Sequence, residues 1–600
     1  MAVVLVLALG SVAFLAPVAL GQDGDGNGAA EDGDKVTFTV GQVEDLRTFN
    51  PLNIIEVPEY EVSTMQYDLL LNFDEETLEP APGLATDWEV SEDGLTWTFE
   101  IRDNATWHDG EPVTAHDIAF TFNFLLDNNV TTFTDYLPFT DSITAPDDTT
   151  LVWKTTKPTG APTYPPYIFI LPEHVWGELD QPKKYDNFPN PVGSGPFRVT
   201  EWRRGQFYRM EANKDYWGGA PNIDEVVFRS FKNNEAMVQA LRRGEIDFAI
   251  DVPAKLATVL EGVEGVRISK TAPVGFTQMS MNQLRDGDTR PYCVDSKPDP
   301  DPCESTGHPA LRDHDVRLAI AHAIDKETLV DRILLGNGLP GTTIVPPASP
   351  WHYEIPDDEL IPFDLDEANR ILDRAGYEDT DDDGVREMPN GGRPLEFRFL
   401  ANTEEPDTVP ATQFIQGWLK QIGIKTNVDG VTEGKLVDIW YANDYDMYIW
   451  GWVPSLDPED MLSVNTTDQC LVWSDHCWSN KRFDRLYEQQ RTTLEREKRE
   501  QIVNEMQLLY YKDVPESVLW YDQALQAYRA DRWTGFVDQI GFLLNQWGSY
   551  SYVNLRPVSA EKTSATGGIS VGLWVGILAA IAVIAAAVVL LRRRGEENRA

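Results

Sequence analysis

Three aspartates at alternating positions are the best candidate metal ligands in the sequence. Asp379, Asp381 and Asp383 are followed directly by Gly384. Carboxylates at positions 1, 3 and 5 of a loop, with glycine at position 6, form the opening of an EF-hand calcium loop. The closing glutamate is missing, because Asn390 stands at position 12. Two interpretations stay open, a structural calcium ion and a solvated acidic turn.

The four cysteines fall into two local pairs. Cys293 and Cys303 bracket a Pro/Asp-rich loop, and Cys470 and Cys477 bracket another short segment. Two local disulfides are the simplest prediction for a chain in an oxidising exterior. Zinc ligation is the weaker alternative, since no Cys-x-x-Cys occurs and His476 has no partner at zinc-ligand spacing.

Motifs that would indicate catalysis are missing or incomplete. The sequence contains neither Gly-x-Ser-x-Gly nor His-Glu-x-x-His. Residues 336–341 fit Gly-x-Gly-x-x-Gly, but Pro340 stands where the helix of a dinucleotide site should begin. Gly434-Lys435 lacks the upstream glycine of a phosphate-binding loop. We therefore predict a protein that is not an enzyme and needs no cofactor, and any ATPase must be a separate partner.

The composition is that of a large, acidic, folded protein. Its 600 residues are 42% hydrophobic, and 97 acidic against 50 basic residues give a formal net charge of −47. This length exceeds what one hydrophobic core usually holds, so two or three lobes are expected. The charge would repel phosphate backbones, which argues against nucleic-acid binding. We interpret the acidity as a solvated surface suited to solubility or to high salt.

Both ends of the chain carry apolar segments. Residues 1–21 have the pattern of a secretory signal peptide, and an uncleaved anchor is the alternative. An acidic Gly/Asp linker follows at 22–34. Residues 569–591 are long and apolar enough to predict a transmembrane helix. The arginines that open the tail at 592–600 would stay cytoplasmic, which predicts a single-pass membrane protein with an extracellular body. A Ser/Thr/Gly linker at 559–568 would join body and span.

Between these ends the sequence alternates between strand and helix patterns. Residues 88–101 form two alternating strands around Asp93-Gly94, which predicts a hairpin. Thr114 precedes a helical pattern as an N-cap, and Gly244 ends another helix. Such alternation favours an α/β fold. The further predicted helices are 235–243, 316–323, 365–375 and 410–422, and the further predicted strands are 35–41, 246–250, 424–428, 446–451 and 519–528.

Several segments between residues 49 and 536 resemble segments of the family 5 extracellular solute-binding proteins, the peptide and nickel class, and they occur in the same order along the chain. Several motifs in the right order are more specific than any one of them. The segments with this resemblance are Leu84-Ala85-Thr86-Asp87-Trp88, His108-Asp109-Gly110-Glu111-Pro112, Gly193-Ser194-Gly195-Pro196-Phe197, Tyr216-Trp217-Gly218-Gly219, Gly244-Glu245-Ile246-Asp247, Ala323-Ile324-Asp325-Lys326 and Gly417-Trp418-Leu419-Lys420.

The resemblance implies a two-lobed α/β fold of the periplasmic-binding-protein type II (Venus-flytrap) class. We expect lobe I at 35–275, with an extra subdomain inserted at about 60–189, lobe II at 276–514, and a return to lobe I at 515–558. Ligand would be held between the lobes, and a membrane permease would recognise the closed form.

The resemblance also indicates where ligand binds. The strand at 445–452 opens into a loop, so Trp450, Trp452, Ser455 and Asp457 are the predicted ligand-binding residues, with Asn50 as a further one. Peptide-binding relatives place an aspartate in the middle of this loop, and here the loop is a residue shorter. Peptide and oligosaccharide therefore both stay open as ligands. Asp457 could bind ligand or cap a helix, Trp452 could stack on ligand or pack in the core, and Asn50 could serve only a turn.

Our prediction is a monomeric extracellular binding protein that captures a small solute for an ABC importer, with permease subunits and a separate ATPase as partners. A membrane-tethered surface sensor with the same lobes is the first alternative, and a secreted hydrolase is the second. The short tail has no room for a signalling domain, which favours transport.

Overall fold

The computed structural model describes residues 35–558, except for short gaps. The gaps are 44, 55–56, 78, 129, 131–132, 134–136, 164–167, 190, 285–288, 291–302, 305, 391, 406, 455–456, 471 and 546–547. The predicted signal peptide, both linkers, the predicted span and the tail lie outside the described residues.

One part of the fold prediction is corrected, the C-terminal transmembrane helix. No helix among the described residues is long and apolar enough to cross a bilayer. The longest of them, Arg496–Asp513, has 18 residues and carries charged side chains along its length. The two-lobed α/β body is the architecture that the chain has.

The first lobe is built on a seven-stranded sheet, sheet I. Its central strand is parallel to both neighbours, while the outer strands pair antiparallel. The strand predicted at 35–41 is this central strand, and it has a parallel partner on each side. In spatial order the strands are β12 (Val266–Lys270), β21 (Leu525–Arg529), β11 (Phe248–Ala249), β1 (Thr37–Gln42), β10 (Glu225–Ser230), β9 (Phe207–Ala212) and β8 (Phe197–Arg203).

The second lobe is built on a six-stranded mixed sheet, sheet II. Apolar side chains on one of its faces pack under helices, as at Met279 and Ile449, which are fully buried. In spatial order its strands are β16 (Gly338–Pro340), β20 (Glu516–Asp522), β13 (Gly275–Met281), β19 (Met447–Trp452), β17 (Glu396–Asn402) and β18 (Lys425–Val431).

A four-stranded antiparallel sheet, sheet III, lies within residues 60–189, where the inserted subdomain is predicted. The predicted hairpin is confirmed: Gly94 has a φ of 72° at the turn, a left-handed conformation that glycine adopts without strain. Three two-stranded ribbons complete the strands. Sheet III contains β4 (Ala85–Val90), β5 (Thr96–Ile101), β7 (Thr150–Thr155) and β6 (Thr140–Asp147), and the ribbons are β2 (Leu71–Phe73) with β3 (Pro80–Pro82), β14 (Thr289–Arg290) with β15 (Cys303–Glu304), and β22 (Trp533–Thr534) with β23 (Arg556–Pro557).

Several helix boundaries lie where the sequence marked them, whereas the helices predicted at 316–323 and 410–422 are His314–His322 and Thr408–Leu419. The Thr114 amide donates to Asp117 Oδ2 at 2.9 Å, and Gly244 ends its helix with a φ of 72°. In chain order the helices are α1 (Val57–Gln66), α2 (Ala115–Asp127), α3 (Glu173–Trp176), α4 (Asn234–Arg243), α5 (Ala254–Leu260), α6 (His314–His322), α7 (Lys326–Arg332), α8 (Leu365–Ala375), α9 (Thr408–Leu419), α10 (Glu433–Tyr441), α11 (Glu459–Ser463), α12 (Lys481–Gln490), α13 (Arg496–Asp513) and α14 (Tyr550–Asn554).

Two adjacent chain crossings join sheet I to sheet II. The chain leaves β12 for β13 through 271–274 and returns from β20 to β21 through 523–524. Thr271 links the crossings: its amide donates to Ala524 O at 3.0 Å, and its hydroxyl accepts from the Ala524 amide at 2.9 Å. The single strand predicted at 519–528 is therefore two strands, because the chain changes sheets within it. Two short paired crossings are the construction of a hinge.

Candidate functional site

The end of β19 is the centre of the candidate site. Its pairing with β13 continues to Trp452, which lies opposite Phe276 beside the hinge. Its parallel pairing with β17 is recorded only at Met447 and Tyr448. From Ile449 onward, the side of β19 that faces away from β13 is therefore an unpaired strand edge among the described residues.

Trp452, a predicted ligand residue, is tied to a carboxylate that the sequence analysis had not selected. Its indole Nε1 donates to Asp475 Oδ2 at 2.7 Å. Gln278 Nε2 donates to the same oxygen at 2.7 Å, and the Tyr448 hydroxyl donates to Oδ1 at 2.8 Å. These three neutral donors orient the half-buried carboxylate.

The main chain around Asp475 is fixed by the predicted local disulfide between Cys470 and Cys477, which the structure contains. The Asp475 carbonyl also accepts from the hydroxyls of Tyr445, at 2.7 Å, and Ser280, at 2.9 Å. A signal for this site was available in the sequence, since the cysteines bracket an aspartate. Of the other predicted pair, Cys293 lies outside the described residues and only the backbone of Cys303 is described, so that disulfide stays a prediction.

The Asp457 carboxylate accepts hydrogen bonds from other residues of the protein. Both of its oxygens accept from the Arg499 guanidinium, at 2.6 and 2.7 Å, and Oδ1 also accepts from the Glu459 amide at 2.9 Å. The Arg499 guanidinium also lies over the ring of Trp351, 4.5 Å from its centroid. The capping interpretation of Asp457 thus has contacts in the structure, and its predicted ligand contact stays a prediction.

The remaining predicted ligand residues are dispersed. Trp450 is half-buried on β19, and Ser455 lies outside the described residues. Asn50 is fully buried, accepts from the Leu52 amide at 2.9 Å, and donates to the carbonyls of Pro182 and Tyr185, both at 2.8 Å. Its amide therefore ties the loop before α1 to the end of the inserted region. The structure does not place Asn50 with the residues of β19.

The inserted region also touches lobe II directly. Arg496 on α13 forms an ion pair with Glu79 at 2.9 Å, and Lys157 lies 4.0 Å from Glu488. The Arg491 guanidinium lies over Phe139, 4.6 Å from the ring centroid. These contacts join residues 60–189 to lobe II at points other than the chain crossings.

The carboxylates of Asp379, Asp381 and Asp383 do come together, and Glu387 joins them. Ligand oxygens of these four residues lie within 4.8 Å of one another. The loop is also closed by its own amides, since Gly384 donates to Asp379 Oδ2 at 2.8 Å. Oxygen-only ligands suit calcium. The ion stays a prediction, and it would lie on a loop that contributes nothing to the strand edge of β19.

Comparison with known families decides the identity of the fold. Residues 79–470 match the family model of the bacterial extracellular solute-binding proteins, family 5. The chain belongs to this family. As a family 5 solute-binding protein, it is the extracellular substrate-binding component of an ABC importer and works with a membrane permease and an ATPase.

The similarity to its relatives and structural neighbours extends over most of this chain and most of theirs. An oligopeptide-binding protein of Bacillus subtilis, AppA, is 26% identical over 81% of this chain and 86% of its own. The dipeptide-binding protein of Escherichia coli is 23% identical over 82% of this chain and 90% of its own. The structure of Campylobacter jejuni NikZ in complex with Ni(L-His) has a TM-score of 0.70 at 20% identity and covers 86% of this chain and 99% of its own. These relatives are binding proteins rather than enzymes.

Proposed function

We propose that this family 5 solute-binding protein captures a short peptide between its lobes and delivers it unaltered to the permease. The supporting observation is the strand edge of Ile449–Trp452. Gly451 is exposed within it. An extended peptide can add a strand to such an edge through its own amides and carbonyls, whatever its side chains are. A sugar offers no such repeat of donors and acceptors at strand spacing.

Closure explains how binding is reported to the permease. A peptide that pairs with β19 beside the hinge contacts lobe II first, and a ligand favours the closed form only through contacts that the open form lacks. To change a mostly open receptor into a mostly closed one, that difference must be about 5 kcal/mol. Enclosure of a peptide against aromatic side chains such as Trp450 and Trp452 can provide it.

A thermal-shift screen of the full chain tests the ligand class. We expect short peptides to raise the melting temperature, since a ligand at about 100 times its Kd adds about 2.7 kcal/mol to the stability of the native state. The matched control is the same peptide with methylated main-chain nitrogens, which cannot donate to a strand edge and should give no shift. Shifts with oligosaccharides and none with peptides would refute the peptide proposal.

A further inference from the structure

The segment from α12 to the first turn of α13 is basic in a strongly acidic protein. Residues 481–499 contain seven basic and four acidic side chains, whereas the whole chain carries 97 acidic against 50 basic residues. The loop at 74–79, in the inserted region (residues 60–189), has the opposite character, since its only charged residues are Asp74, Glu75, Glu76 and Glu79. Patches of opposite charge favour contact with each other.

The acidic loop and the basic segment meet at Glu79 and Arg496. Arg496 Nη2 lies 2.9 Å from Glu79 Oε1, and Nη1 donates to Oε2 at 3.3 Å, so the pair is bidentate. Arg496 is held on its own lobe by Trp351, because its guanidinium lies 3.6 Å from the centroid of that ring. An ion pair between half-exposed side chains usually contributes little, but bidentate geometry and a side chain already held in place make this one stronger.

Two further contacts join the basic segment to other parts of the inserted region. Arg491 lies over the Phe139 ring and is held in lobe II by an ion pair with Glu459 at 3.0 Å. Leu494 lies against the hairpin turn, where a Cβ added to Gly94 would be 2.7 Å from Leu494 Cδ1. Together with the ion pair of the acidic loop, these contacts reach three separate stretches of the inserted region, so they can form and part as one set.

The inserted region is fastened to lobe I by buried hydrogen bonds. Asp68, which is 5% exposed, accepts from the Tyr216 hydroxyl at 3.0 Å and from the Trp217 indole at 3.1 Å. Tyr216 and Trp217 lie in lobe I between β9 and β10. The ion pairs with lobe II are instead made by half-exposed or exposed side chains. When the lobes rotate about the crossings at 271–274 and 523–524, the inserted region therefore moves with lobe I, and its contacts with lobe II are the ones that part.

We propose that the acidic loop 74–79 and the basic segment 481–499 form a latch that holds a fraction of the ligand-free protein in the closed form. This inference goes beyond the proposed function, because the latch needs no ligand. A ligand that binds only the closed form gains affinity in proportion to the fraction that is already closed. The latch also slows the release of ligand, since its contacts must part before the lobes open.

Small-angle X-ray scattering of the ligand-free full chain tests the latch without any peptide. Glu79→Arg places like charges together, so we expect the closed fraction to fall about fivefold and the radius of gyration to rise above that of the wild type. The double variant Glu79→Arg/Arg496→Glu restores opposite charges and should return the radius toward the wild-type value. The matched control is Glu76→Arg, an exposed residue of the same loop with the same change of charge, which should leave the radius unchanged.

Three results would overturn the latch. The first is an equal radius of gyration for the wild type, Glu79→Arg and the double variant. The second is an increase in Glu79→Arg that persists in the double variant, and the third is an equal increase in Glu76→Arg, because overall charge rather than the ion pair would then control the lobes. No peptide enters this measurement, so its outcome is distinct from a failure of peptides to bind, which would contradict only the proposed function.

Discussion

The variant Asp457→Ala is expected to unfold with a free energy about 3 kcal/mol below that of the wild type. Arg499 is 7% exposed, and its guanidinium donates to both oxygens of Asp457. Removal of one partner from a buried ion pair leaves the other charge desolvated, which costs about 3–5 kcal/mol. Urea denaturation of the ligand-free protein measures this loss.

The control for this prediction is Asp358→Ala, an exposed aspartate in lobe II whose removal should change the unfolding free energy by less than about 0.5 kcal/mol. Peptide affinity distinguishes the two interpretations of Asp457. If its main partner were the ligand, Asp457→Ala would be as stable as the control and would bind peptide much more weakly.

The second large effect is expected from Glu61, which is buried on α1. Burial raises the pKa of its carboxyl from 4.5 to about 8, although the hydrogen bond from the Tyr552 hydroxyl lowers it. The folded state therefore holds a proton that the unfolded chain releases near pH 4.5. This contribution to stability is complete below pH 4.5 and declines as the pH rises to about 8.

Glu61→Gln should remove this pH dependence, because glutamine stays neutral and its Oε1 still accepts from Tyr552. We expect the variant and the wild type to be equally stable at about pH 4, and the variant to be more stable by a few kcal/mol at about pH 8, since each pKa unit corresponds to about 1.4 kcal/mol. Melting curves across this range measure the difference. Glu75→Gln, at an exposed site, is the control, and a constant offset between Glu61→Gln and the wild type at every pH would contradict the prediction.

Local signals in the sequence predicted the fold well where the chain determines its own geometry. The hairpin around Gly94, the cap at Thr114 and the helix end at Gly244 each depend on contacts within a few residues, and the structure confirms all three. The segment 519–528 was predicted wrongly as one strand. Its division at 523–524 depends on pairing with strands about 250 residues earlier, and no local pattern reports such pairing.

The candidate site was predictable only in part for the same reason. The order of motifs indicated the strand that carries Trp450 and Trp452. Asp475 lies 23 residues beyond Trp452, and only folding brings it against the indole of Trp452 and the amide of Gln278. Asp457 seemed a candidate ligand residue because its sequence neighbourhood does not show Arg499, which lies 42 positions away on α13.

Small-angle X-ray scattering of the full chain, with and without a peptide that raises its melting temperature, tests most directly whether the lobes close around a ligand. Two lobes that rotate about the crossings at 271–274 and 523–524 should give a smaller radius of gyration and a shorter maximum dimension when peptide is saturating. Superimposable scattering curves, at a peptide concentration that calorimetry shows to be saturating, would contradict closure and with it the mechanism of delivery to the permease.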